Sequence, residues 1–171
     1  MNKTEQLHRL KMKMIEWEHG CPKRIQHFLK VSSFAVAIAK EEQADEHTLF
    51  ILEAVGYLHD IGIRLAMEQY GRDDGPLQQR LGPPPAREIL EELGFESADI
   101  ERICLLIAHH HTYDADIDGL DFRILLEADA CVNMYEGDAS QQARRAMLKN
   151  VFRTGGGKRI YKMMFDLCDE D

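Results

Sequence analysis

His59 and Asp60 stand side by side in the segment YLHDIGI, with His27 far upstream and Asp129 far downstream. Imidazole nitrogen and carboxylate oxygen are the donors that hold divalent transition metals, and a metal held this way can activate water and polarise a phosphoryl oxygen. One shared cation is the economical reason to bury all four side chains, because it satisfies both imidazoles and both carboxylates at once. A lone buried histidine usually finds an ordinary hydrogen bond and does nothing more. A buried carboxylate has fewer bland explanations, since leaving it unpaired costs roughly several kcal/mol. The weight therefore rests on the set of four, not on any one member.

The elements that must position these residues read as helices. Period-2 alternation is nearly absent, and apolar residues recur at spacings of three and four. The pattern predicts helices over roughly 3–18, 22–42, 46–60, 84–93, 97–111, 121–135, 138–152 and 156–167. The stretch 62–82 is weaker, with Gly71, Gly75, Pro76 and Gly82 marking turns, and 113–120 reads as an Asp- and Gly-rich loop. Residues three, four and seven apart share a helix face. His27 lies four before Val31 and seven before Phe34; His59 lies four after Val55 and seven after Leu52. His110 and His111 lie three and four after Ile107, and Asp129 lies three and four after Leu126 and Leu125. Four separate helices thus aim ligand-type side chains inward. Gly56, one turn before Asp60, removes a side chain where neighbouring backbone needs to approach.

The order His27, His59-Asp60, Asp129, in the contexts RIQHFLKV, YLHDIGI and LLEADACVN, resembles the HD superfamily of metal-dependent phosphohydrolases. The resemblance spans about residues 20–167 and is greatest to small stand-alone bacterial HD proteins, which are also similar in GPPPARE, AHHHTY and FRTGGGK. It implies that His27, His59, Asp60 and Asp129 bind a divalent metal, with Mn, Fe, Co, Mg and Zn all used in the family. It further implies hydrolysis of a phosphate ester by a metal-activated water, with Asp60 both a ligand and the orienter of that water. A nucleotide or another small phosphorylated metabolite is the implied substrate class. Two departures stand out. LGPPPAREIL carries no counterpart of the extra histidine found in many two-metal members, and Ile63 followed by Arg64 replaces a lysine common after HD-x-G. One tightly held metal is expected, with a weaker second ion near His110 and His111, which otherwise serve as phosphate donors or as general acid. The departures also keep open a metal-holding, ligand-sensing protein with little turnover. A diiron oxygenase of the HD type fits less well without the extra histidine.

Three basic residues are candidates for substrate phosphate: Arg64 just after the motif, Lys158, and Lys23 one turn before His27. A guanidinium suits bidentate phosphate contact, but a surface ion pair is an equal explanation for Arg64. Lys158 lies in the segment from Ala139 to Phe165, which holds seven basic residues and no acidic one. That asymmetry either frames an anionic ligand or packs beside acidic helices such as the one holding Glu88, Glu91 and Glu92. GGGK lacks the full phosphate-loop frame and a preceding strand, so it gets no nucleotide role. Asp114, Asp116, Asp118 and Asp121 lack the Gly and terminal Glu of a calcium loop.

The 171 residues suit a single all-α domain, 1–171, with an HD-type helical bundle and buried metal site at about 20–136 and a helical extension at about 137–171. A net charge of −9 disfavours duplex nucleic acid and anionic membrane surfaces as partners. MNKTEQLHRLKMKM has no apolar signal core, and no apolar run approaches a membrane span. Cys21, Cys104, Cys131 and Cys168 are scattered, without C-x-x-C spacing; Cys104 and Cys131 sit in apolar helical patterns as reduced core residues. A cytoplasmic protein acting on a small phosphorylated molecule is expected, its oligomeric state open.

Overall fold

A computed structural model describes residues 2–113 and 117–167. Asp114, Asp116 and Cys168 lie outside the described residues. Every regular element among those described is an α-helix: α1 (Lys3–Trp17), α2 (Pro22–Glu41), α3 (Glu46–Leu58), α4 (Gly62–Tyr70), α5 (Gly75–Leu81), α6 (Pro83–Glu92), α7 (Ser97–His109), α8 (Leu120–Glu136), α9 (Gln141–Val151) and α10 (Gly155–Phe165). The all-α class expected from the periodicity is the observed one.

Short polar side chains start the helices where the sequence supplies them. Asn2, Asp45, Asp74, Ser140 and Thr154 each accept a backbone N–H from the first turn of α1, α3, α5, α9 and α10. Each such cap contributes about 1 kcal/mol. The weak stretch 62–82 resolves into two short helices. Gly71, at φ 66°, ends α4 in the left-handed conformation, and Asp74 then caps α5 ahead of Pro76.

The helix expected to run to residue 60 ends at Leu58. His59 and Ile61 nevertheless keep right-handed helical torsions, with φ −53°, ψ −36° and φ −54°, ψ −25°. The chain carries its helical phase through the tight junction from α3 to α4, so the inward direction inferred for His59 holds although the helix has ended.

The core forms where α2 packs along α3 and α8. Val31, Ala35 and Ile38 of α2, Leu52, Val55 and Leu58 of α3, and Ile124, Leu125 and Ala128 of α8 are all fully buried. Burying each of the larger aliphatic side chains is worth about 1.5–3 kcal/mol. Gly56 sets how closely α2 and α3 approach. A Cβ there would lie 2.5 Å from the Ser32 Cα, backbone that cannot swing aside. This contact brings the His27 turn of α2 next to the His59 end of α3.

The basic C-terminal segment finds acidic partners, but on a different helix from the one anticipated. Arg159 pairs with Glu41, and the Gly156 N–H donates to Glu42 at 2.5 Å, both at the end of α2 rather than on α6 with Glu88, Glu91 and Glu92. A second, smaller apolar cluster of Cys131, Phe152, Tyr161, Phe165 and Leu167 seats α9 and α10 on α8. Among the described residues no helix is long and apolar enough to cross a membrane.

Candidate metal centre

α2, the α3–α4 junction and α8 bring four side chains to one point. His27 Nε2 lies 3.2 Å from His59 Nε2, 3.3 Å from Asp60 Oδ2 and 3.3 Å from Asp129 Oδ1. His59 Nε2 lies 3.4 Å from Asp60 Oδ2 and 3.6 Å from Asp129 Oδ1. Metal–ligand bonds of about 2.0–2.2 Å place adjacent ligand atoms roughly 3.0–3.6 Å apart, the range these five separations occupy. His27, His59 and Asp129 are buried, and Asp60 is only partly accessible.

The second nitrogen of each ring fixes what the first presents. His59 Nδ1 is 3.0 Å from the Gly56 carbonyl, and His110 Nδ1 is 2.8 Å from the Ile107 carbonyl. A carbonyl can only accept, so both rings carry their proton on Nδ1 and turn an Nε2 lone pair inward. His27 Nδ1 does the same toward Glu136 Oε2 at 2.9 Å. With Nδ1 committed in this way, the Nε2 atoms point at one another and at two carboxylates. Asp129 Oδ1 and His110 Nε2 are fully buried with no well-formed hydrogen bond among the described residues. A cluster made only of acceptors requires a cation or extra protons, and the residues present fit a divalent metal.

Without a cation, protons take its place. Burial opposes charge on His27 and His59, yet Asp129 and Asp60 outweigh it, raising His27 above the ordinary imidazole value and His59 well above it. Burial likewise opposes ionisation of Asp60 and Asp129, but the neighbouring imidazoles hold both carboxyls below their usual range.

Asp60 faces two ways. Its Oδ2 meets His27 and His59, while its Oδ1 lies 3.3 Å from His110 Nε2. His111 completes a second grouping with Asp60 and His110, whose ligand atoms all lie within 4.8 Å of one another. Gln78 sets the His111 tautomer. The Gln78 amide nitrogen donates to the Asp73 carbonyl, so its Oε1 faces His111 Nε2 at 2.7 Å and must accept from it. The lone pair of His111 therefore sits on Nδ1. Burial and the adjacent His110 push the His111 pKa down to about 4, so this ring is neutral at physiological pH.

The cluster opens into a cavity of about 460 Å³ whose lining includes Lys23, His27, Asp60, His111, Asp129 and Glu136. Of the three basic residues anticipated for phosphate, only Lys23 lines it, and Lys23 makes no ion pair among the described residues. Arg64 turns away: its guanidinium donates to the Trp17 carbonyl and to Glu68, and it borders a separate depression beside Lys13 and Ile89. Lys158 is exposed on α10 and absent from the cavity lining. The start of α10 is occupied by protein carboxylates instead. Buried Glu127 accepts from the Arg153 and Thr154 N–H groups at 2.6 and 2.9 Å, and from the Thr154 hydroxyl at 2.5 Å. His109, the last residue of α7, belongs to neither grouping. Asp118 and Asp121 hold Arg102 through a backbone carbonyl and a bidentate carboxylate, an ordinary structural use.

Two contributors went unread in the sequence. Glu136 lies seven residues after Asp129, on the same face of α8, so extending that face by two turns would have reached it. Gln78 sits in the weak stretch 62–82 and carried no comparable signal.

An all-α scaffold with an internal histidine–aspartate cluster defines a known class of helical protein. The chain belongs to the HD domain family, whose model matches residues 24–144. No protein of curated function matches the sequence. Among solved structures, the chain is similar to a predicted HD superfamily hydrolase from an uncultured Thermotogales bacterium, with a TM-score of 0.68 and 22% identity over 97% of this chain and 92% of that one. It is similar also to YpgQ of Bacillus subtilis, with a TM-score of 0.67 and 15% identity over the same shares of the two chains.

Proposed function

We propose that the protein is a metal-dependent phosphohydrolase acting on a nucleotide or another small phosphorylated metabolite. The observation that carries this reading is the convergence of buried acceptor atoms: His27 Nε2, His59 Nε2, Asp60 Oδ2 and Asp129 Oδ1 within ligand-to-ligand distance, with both imidazole protons committed elsewhere. Family membership supports the same chemistry. These four residues hold one divalent cation, which supplies water activation and neutralisation of developing phosphoryl charge.

The chain's own residues divide the remaining work. Asp60 holds the centre through Oδ2 and leaves Oδ1 on the side of His110. That free carboxylate oxygen orients a nucleophilic water by accepting its proton in a hydrogen bond. His111 lines the cavity and fully buried His110 stands beside Asp60 Oδ1, and their grouping with Asp60 offers a weaker second cation position when substrate phosphate is present. The low pKa of His111 makes it a hydrogen-bonding or ligating group at neutral pH rather than a proton donor from a charged state. Lys23, which lines the cavity and makes no ion pair among the described residues, is the basic group available to meet substrate phosphate.

The test has two stages. Protein purified without added metal is analysed for metal content, then screened against a panel of phosphoesters with Mn, Co or Mg. Retained metal with phosphate release in the panel supports the proposal. Retained metal with no hydrolysis would favour a metal-holding sensor, and absence of metal affinity would defeat both.

A further inference from the structure

Three imidazoles at the centre donate from Nδ1, but they do not use equivalent acceptors. His59 and His110 each donate to the carbonyl three residues earlier in their own helical stretch, Gly56 and Ile107. Those contacts come with the backbone and no side-chain change can alter them. His27 instead donates to the carboxylate of Glu136, a residue 109 positions away at the end of α8. Glu136 is in turn gripped by Lys30, whose Nζ lies 2.7 Å from its other oxygen. Lys30 follows His27 by three residues, so one face of α2 presents both the imidazole and the ammonium to a single carboxylate. The Glu136 side chain is only 16% exposed, so the contact is largely shielded from competing water.

A carboxylate differs from a carbonyl as partner to a ligating imidazole. It carries full charge, fixes the tautomer and ring plane, and raises the basicity of the opposite nitrogen. We infer that Glu136, braced by Lys30, is a positioning residue that holds His27 in the Nδ1–H tautomer and strengthens Nε2 as a donor to a divalent cation. Glu136 touches neither cation nor substrate in this role; it acts through His27. The inference rests on the metal-centre reading and extends it with a residue outside the ligand set.

Titration calorimetry of the metal-free full chain with Mn²⁺ alone tests it, using wild type, Glu136→Ala, Glu136→Gln and His27→Ala. Glu136→Ala should weaken binding about 10–100-fold. Glu136→Gln should fall between, because its amide oxygen still accepts from Nδ1–H but without charge. Nitrogen-15 shifts of His27, read at a pH where the ring is neutral, should report Nδ1–H in wild type and a tautomer mixture in Glu136→Ala. If His27→Ala loses binding while Glu136→Ala stays within about twofold of wild type, the role of Glu136 is refuted and the centre stands. Wild type that fails to bind Mn²⁺, or His27→Ala that binds it normally, overturns the underlying reading as well. Should Glu136→Ala not fold, Glu136→Gln decides: wild-type Mn²⁺ affinity there would refute the inference.

Discussion

His27 and His59 meet Nε2 to Nε2 at 3.2 Å although each ring has already donated its Nδ1 proton elsewhere. Burial works against an added proton, but the adjoining carboxylates prevail and both pKa values rise. A raised folded-state pKa contributes stability that is complete below the unfolded value of about 6.5 and disappears as pH climbs through the folded value. Asp60 and Asp129 are lowered, so their contribution is present above an unfolded value of about 3.9 and vanishes as pH falls through the folded values. The metal-free protein should therefore lose thermal stability on the alkaline side, from about pH 6.5 upward. A cation competes with the same protons, so the rise in Tm given by Mn²⁺ should be larger near pH 8 than near about pH 6. Scanning calorimetry with and without Mn²⁺ reads both effects, and an equal Tm rise at the two pH values would contradict the assignment.

Asp60 joins the two groupings and His111 belongs to only one, which separates their variants. Asp60→Ala removes an oxygen from each side and should abolish both metal retention and turnover. His111→Ala should keep the tightly held metal and lower the rate by at least about tenfold. Metal analysis alongside the phosphoester assay distinguishes them. Wild-type metal content in Asp60→Ala would remove it from the ligand set, and loss of the primary metal in His111→Ala would add His111 to that set.

Much of the placement of the candidate site's side chains was legible because helical phase survives where helices end. His59 and His110 both lie past the last residue of their helices, yet both keep right-handed torsions, so counting threes and fours from Val55 and Ile107 still pointed inward. Asp129 was easier, lying mid-helix among buried neighbours. The basic side chains were harder to place from sequence. Long basic side chains choose among nearby carboxylates and carbonyls that a one-dimensional pattern does not display, and Arg64 found the Trp17 carbonyl 47 residues back. Lys158 is exposed on α10 and outside the cavity lining, and the carboxylates at the start of that helix, Glu42 and Glu127, come from distant parts of the chain. Gln78 depended on the turn near Asp73, where short helices and glycines leave little periodicity to read.

Gly56 carries a prediction that links packing to the site. Any side chain there collides with Ser32 backbone, so α2 and α3 must separate to admit it. Overpacking of this kind costs about 1–3 kcal/mol or more. Gly56→Ala should lower Tm by several degrees, at roughly 2–4 °C per kcal/mol for a chain of this size. It should also weaken Mn²⁺ binding, because the same separation pulls His27 from His59. Unchanged Tm and unchanged metal affinity together would mean the two helices have slack that the geometry denies.

The Gly155-Gly156-Gly157 run makes the opposite case: strong structural demand without a part in the metal centre. Glu127 lies two residues before Asp129, so α8 sends the two carboxylates to different sides. Completely buried Glu127 caps the start of α10, and a Cβ on Gly157 would overlap its Oε2. On Gly155 a Cβ would meet only Glu42 Oε1, at an ordinary 3.6 Å. Glu127→Ala leaves two backbone N–H groups and a hydroxyl without their acceptor and should cost at least about 3 kcal/mol. Gly157→Ala should be destabilising and Gly155→Ala tolerated, as read by urea denaturation. Folded Glu127→Ala should still bind Mn²⁺ as wild type does. If instead Gly155→Ala and Gly157→Ala unfold alike, the run is needed for backbone freedom rather than for room around the Glu127 carboxylate.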